Sequence, residues 1–85
     1  METFQYTITD EIGIHARPAG ELAKLSKEFR SKITLKTETK QADAEKLMAV
    51  MALGIHHGQT VTVEIDGADE KEAVRAVRDF FQAKL

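Results

Sequence analysis

The chain has 85 residues, 42% of them apolar and 31% charged, with a formal net charge of −2 at pH 7. That length holds one small domain, residues 1–85, with a thin core rather than a deep closed cavity, and the near-neutral charge gives no global signal for nucleic acid or an anionic membrane. The absence of cysteine excludes disulfides, thiolate catalysis and Cys-ligated zinc or iron–sulfur centres. Met1-Glu2-Thr3-Phe4 lacks the basic region and apolar core of a signal peptide. No apolar run nears the roughly 18 residues of a membrane span. The expectation is a cytoplasmic protein without membrane insertion.

Thr3 to Ile8 alternates, with Phe4, Tyr6 and Ile8 on one face, and reads as a half-buried strand. Asp10 to His15 is a loop containing Gly13. Pro18 suits the first turn of a helix, where its missing N–H costs nothing. Ala19, Leu22, Ala23, Leu25 and Phe29 then share an apolar face. Lys24, Lys27 and Arg30 fall late in this segment, where positive charge suits the helix dipole. Ile33 and Leu35 mark a second strand, and Glu38 to Ala44 holds a turn and a short edge strand. Leu47 to Leu53, closed by Gly54, reads as a short helix. Val61, Val63 and Ile65 alternate with polar residues in another strand. Asp66-Gly67 supplies a turn, and Asp69 with Glu72 has the spacing of a capping box. The last helix buries Ala73, Val74, Val77, Phe80 and Phe81. This order fits an α+β fold, an open-faced sandwich with helices packed on one face of a mostly antiparallel sheet. The other face, rich in Thr, Lys, Glu and Gln, can stay wet.

The chemistry concentrates in Gly13-Ile14-His15-Ala16-Arg17-Pro18-Ala19. His15 stands just before a helix, whose first N–H groups lack internal partners and attract anions. The helix start at Ala16, Pro18 and Ala19 is thus a candidate phosphate cradle. Arg17 adds a fixed charge and a fork of donors matched to phosphate oxygens, and Pro18 disfavours α conformation at Arg17. A neutral imidazole is a competent nucleophile toward phosphorus near pH 7. A His before a helix is often only a solvated residue, but one His and one Arg without a further acid, base or metal set suit a relay better than a self-sufficient enzyme. No metal or cofactor is expected.

The motif Gly-Ile-His-Ala-Arg-Pro-Ala resembles the phosphorylation site of HPr, the histidine phosphocarrier family of the bacterial sugar phosphotransferase system. The resemblance extends over nearly the whole chain, through the segment MAVMALGI at 48–55 and the helix start GADEKEA at 67–73. It implies a four-stranded antiparallel sheet covered by three helices. It implies that His15 takes a phosphoryl group on Nδ1 from enzyme I, itself charged by phosphoenolpyruvate, and hands it to IIA domains of sugar permeases, with Arg17 assisting. Such a protein is a phosphocarrier, not an enzyme in its own right.

The partner surface follows in part from physics. Leu47, Met48, Val50, Met51 and Leu53 surround a short helix that cannot bury them all, and Met suits a surface that fits several partners. Val50 and Leu53 read as core. The resemblance places Leu47, Met48 and Met51 at the interface with enzyme I and IIA domains, and Lys24 and Lys27 toward acidic partners. Gly20 replaces a larger small residue; it loosens the helix or lets a partner approach closely. Lys46 stands where many relatives carry a Ser that a kinase phosphorylates, so that regulation is expected to be absent. His56 and His57 read as solvated loop residues. A monomer is expected. Regulatory or nitrogen-linked carriers would share these features. A binding protein without phosphotransfer is disfavoured by the presence of His15. A nucleic-acid binder is disfavoured by charge and by an outer sheet face without stacking aromatics.

Overall fold

The computed structural model describes residues 1–85. In chain order the elements are β1 (Glu2–Thr7), α1 (Ala16–Ser26), β2 (Lys32–Lys36), β3 (Gln41–Asp43), α2 (Leu47–Ala52), β4 (Thr60–Asp66) and α3 (Glu70–Lys84). The strands form one four-stranded sheet in the order β1-β4-β2-β3. Every neighbouring pair is antiparallel, with Phe4 opposite Val63, Leu35 opposite Val63, and Leu35 opposite Ala42. β4 therefore lies in the interior of the sheet, and Val61, Val63 and Ile65 are fully buried. β1 and the three-residue β3 take the edges.

The strand alternation fixes two faces. On the inner face Ile33, Leu35 and the β4 valines meet Leu22, Val77 and Phe81 in one core. Phe81 carries much of the packing: Phe4 and Tyr6 meet it edge-on, with centroids 5.8 and 5.5 Å away. The outer face is polar. Thr7 and Thr60 share a hydrogen bond of 2.9 Å, and Lys36 pairs with Glu64 at 2.9 Å. No aromatic side chain stands on that face, because both β1 aromatics point to Phe81.

Two boundaries differ from the sequence reading. Ile8 lies beyond β1, yet its backbone stays paired, donating to the Gln59 carbonyl and accepting from the Gly58 N–H, both at 2.9 Å. α1 ends at Ser26, with Lys27 as its C-cap. Phe29 and Arg30 thus sit past the helix, and Phe29 packs half-buried against the core. Phe80 is likewise half-buried, since only one of two adjacent aromatics on a helix can face the sheet.

Asp69 departs from its expected cap role. It precedes α3 but makes no side-chain cap bond. Its carboxylate reaches back across the chain and accepts from the Arg30 N–H, the Ser31 N–H and the Ser31 hydroxyl, at 2.9, 2.9 and 2.6 Å. Gly67 makes this approach feasible, since a Cβ there would lie 2.5 Å from Ser31 Cα. The acidic residues of the first turn, Glu70 and Glu72, suit the α3 dipole instead. Glu70 also accepts from the Met1 ammonium at 2.8 Å, which ties the start of β1 to the start of α3.

The Ser31 hydroxyl, and after it the Arg30 N–H, hold the Asp69 carboxyl below its ordinary value. A carboxyl lowered in the folded state stabilises the fold above its unfolded value, and that contribution disappears as pH falls through the lowered folded value. Urea midpoints of the wild type should therefore fall as pH drops from 7 into the acid range. Asp69→Asn should be less stable at pH 7, and the difference should narrow with acidification. A difference constant with pH would show that the charge of Asp69 contributes nothing.

Candidate functional site

The β1–α1 loop is pinned at both ends by backbone. The Thr9 and Asp10 N–H groups donate to the Leu85 carbonyl at 2.6 and 2.8 Å, and the Ile14 N–H donates to the Ile55 carbonyl at 3.0 Å. Asp10 also folds the loop locally. Its carboxylate accepts from the Ile12 N–H at 2.8 Å and its carbonyl from the Gly13 N–H at 3.1 Å. Gly13 has φ +86°, and a Cβ there would lie 2.8 Å from the Cα of His56. Only glycine meets both demands at once.

This loop delivers His15 to the N-cap position of α1 in extended conformation, with φ −113° and ψ −174°. The imidazole makes no cap bond and remains free. His15 is half-buried, while Ala16 and Arg17 are exposed. The amides of His15, Ala16 and Arg17 donate to no protein acceptor. The next residue, Pro18, has none to donate, and the Ala19 N–H closes the first turn on the His15 carbonyl at 3.0 Å. Three consecutive amides, from His15 to Arg17, thus stand unpaired at the positive end of the helix.

This geometry corrects two expectations. The helix begins at Ala16, so Arg17 is helical within its first turn although the following proline disfavours that conformation. The restriction before proline is a preference, and the first turn is where proline conflicts least with a helix. The cradle also shifts. Pro18 and Ala19 are buried and offer no free N–H, so the available amides are those around Ala16 and Arg17.

His15, Arg17 and Pro18 line one open depression together with Asp10, Glu21 and Lys84. The Glu21 carboxylate and the Lys84 ammonium stand 3.9 Å apart. Nothing local in the sequence singles out Lys84, which comes from the far end of α3.

Next to this site, α1 packs against α2. Val50 is fully buried and Leu53 is at 9% exposure, as their reading as core requires. Leu47, Met48 and Met51 are exposed at 37%, 74% and 37%. Gly20, Lys24 and Lys27 lie along α1 and its cap; both lysines are exposed. Lys46 is exposed at the start of α2. His56 and His57 are exposed in their loop. The sequence reading passed over Ile12, which is 67% exposed at the tip of the His15 loop. Its signal was present, an isoleucine between Glu11 and Gly13 in a segment too short to bury it. No group of side chains is arranged to hold a metal ion, and no helix is long and apolar enough to cross a membrane.

The family model described as the PTS HPr component phosphorylation site matches residues 2–83. The chain is 41% identical over 78 residues to the phosphocarrier protein HPr of Mycoplasma capricolum, covering 92% of this chain and 88% of that protein. Among solved structures, a mycoplasma histidine-containing phosphocarrier protein superposes with a TM-score of 0.90 at 39% identity, covering 93% of this chain and 90% of the other. HPr from Thermoanaerobacter tengcongensis superposes with a TM-score of 0.92 at 32% identity, covering 99% and 94%.

A Cβ added at Gly20 would meet nothing within 4 Å. The fold therefore has no steric need for glycine there. Gly20→Ala should raise the unfolding free energy by about 0.5–1 kcal/mol, the usual helical difference between the two residues. A higher urea midpoint at unchanged slope would register it. A lower midpoint would reveal a close neighbour that the folded backbone does not show.

Proposed function

The chain belongs to the HPr phosphocarrier family of the phosphotransferase system, and on that premise we propose that His15 accepts a phosphoryl group from phosphorylated enzyme I and passes it to IIA domains of sugar permeases. The observation that carries this reading is the free imidazole of His15 set beside unpaired amides and the Arg17 guanidinium at one helix start. The Nδ1 lone pair forms the new N–P bond as the donor's bond to phosphorus breaks. The negative charge that arrives is met by the Ala16 and Arg17 amides, the helix dipole and the Arg17 fork. None of these groups hydrolyses the product, so the phosphoryl group waits for an acceptor.

Partner docking falls to the exposed apolar patch Leu47, Met48 and Met51, bordered by Lys24 and Lys27. Gly20 keeps the intervening α1 surface flat, which lets a partner backbone come close. The lysines steer acidic partners, so association slows as salt is added. All site residues come from one chain, so a monomer holds the complete site. Lys46 has no hydroxyl, and this chain does not receive the serine phosphorylation that regulates relatives.

Phosphotransfer with phosphoenolpyruvate, magnesium and enzyme I tests the reading by intact mass and phosphorus NMR. One acid-labile phosphoryl group is expected on the wild type and none on His15→Ala. Arg17→Ala should slow transfer by about 10²-fold, the scale of losing one preorganised charge-stabilising donor. An unmodified wild type alongside an active enzyme I would refute the carrier reading. Incubation with the serine kinase and ATP should leave no acid-stable phosphate. A stoichiometric phosphoserine would overturn the assignment at Lys46.

A further inference from the structure

We propose that Lys84 is a second cation for the phosphoryl group on His15, leaving Glu21 to contact the phosphoryl oxygens. The inference deepens the reading of His15 as the phosphoryl-bearing residue and rests on it.

Lys84 ends α3, and the neighbouring Leu85 carbonyl holds the Thr9 and Asp10 amides. That clamp fixes the base of the lysine beside the His15 loop. Its side chain then lines the same depression as His15 and Arg17. The only partner of the ammonium is Glu21, at 3.9 Å, with both side chains about half exposed, at 52% and 44%. Such a pair is long, solvated and weak. It can be exchanged for a better anion at little cost.

The charges facing the depression make that exchange favourable. Asp10 and Glu21 are acidic, and Arg17 and Lys84 are basic. They balance before phosphorylation. A phosphoryl group on imidazole adds up to two negative charges, and Arg17 alone is already offset by the nearby carboxylates. A lysine on a flexible stem, paired only loosely, is the group free to move toward the added charge. Asp10 and Glu21 stay behind as repulsive neighbours. They keep the phosphoryl group from being held too tightly to leave. Lys84 thus tunes how readily the group is given up.

The test uses the full chain with His56→Gln and His57→Gln in every variant, so that phosphoramidate phosphorylates only His15. The imidazole nitrogen forms the N–P bond, the P–N bond of phosphoramidate breaks, and the imidazole proton leaves with ammonia. Phosphorus NMR then follows the second ionisation of the phosphoryl group against pH. In Lys84→Gln its midpoint should rise by about 0.3–0.7 pH unit, the size expected of one exposed charge pair. Lys84→Arg should stay near the wild type. Glu21→Gln should lower the midpoint more in the presence of Lys84 than in the Lys84→Gln background, where only its own repulsion is removed. The Lys84 ammonium resonances should move on phosphorylation, and the difference between variants should shrink in ~1 M salt. Equal midpoints in wild type and Lys84→Gln, with unmoved lysine resonances, would overturn the proposal. Because phosphoramidate supplies the group, the result is independent of enzyme I. A protein that takes phosphoryl from phosphoramidate but not from enzyme I would sink the carrier reading alone.

Discussion

The surface site depends on a close backbone contact in which the His15 loop, at Gly13, lies against Ile55 and His56 with no room for a Cβ. From that contact the Ile14 amide reaches Ile55, the chain enters α1 at a fixed angle, and the imidazole stands at the helix mouth. The Leu85 carbonyl holds the other end of the same loop. The anchors are main-chain hydrogen bonds, whose geometry does not depend on side-chain rotamers. The site is thereby preorganised although it lies on the surface, and it needs no enclosing cavity to hold its geometry.

Preorganisation of this kind suits a relay. The site proposed for transfer offers unpaired amides and an arginine to incoming negative charge, with two carboxylates in the same depression. In the proposed role, that combination accepts negative charge without holding it too tightly to release. The exposed patch on α2 proposed for docking and the site proposed for transfer thus use adjacent but distinct side chains.

Local periodicity carries most of the fold. Phe4 and Tyr6, and Val61, Val63 and Ile65, mark their inner faces by alternation alone, because a strand exposes every second residue to each side. The two long helices announce themselves through apolar spacing, and even the three-residue β3 falls within the polar stretch read as an edge. The motif around His15 was equally visible. What stayed hidden involves long sequence separation or a competition between bonds. Asp69 fits a capping box by spacing, yet Ser31, 38 residues away, offers its carboxylate two donors. Ala19 sits correctly for a phosphate cradle, but its N–H is already spent on the first turn. Lys84 meets His15 only once α3 has folded back across the sheet. No pattern along the chain encodes such meetings.

The short helix α2 has six residues, and Val50 is the only one fully buried. A helix this short has almost no intrinsic stability in water. Its shape comes from one anchor and from its neighbours α1 and β3. With Val50 as its one fully buried side chain, α2 has little packing of its own, and local opening of such a segment can leave the sheet and the long helices intact. α2 therefore hangs on one buried side chain, whereas the His15 loop is tied at both ends by main-chain hydrogen bonds. Under the docking role proposed for this face, α2 can reshape itself to partners of different shape without disturbing the alignment of the imidazole.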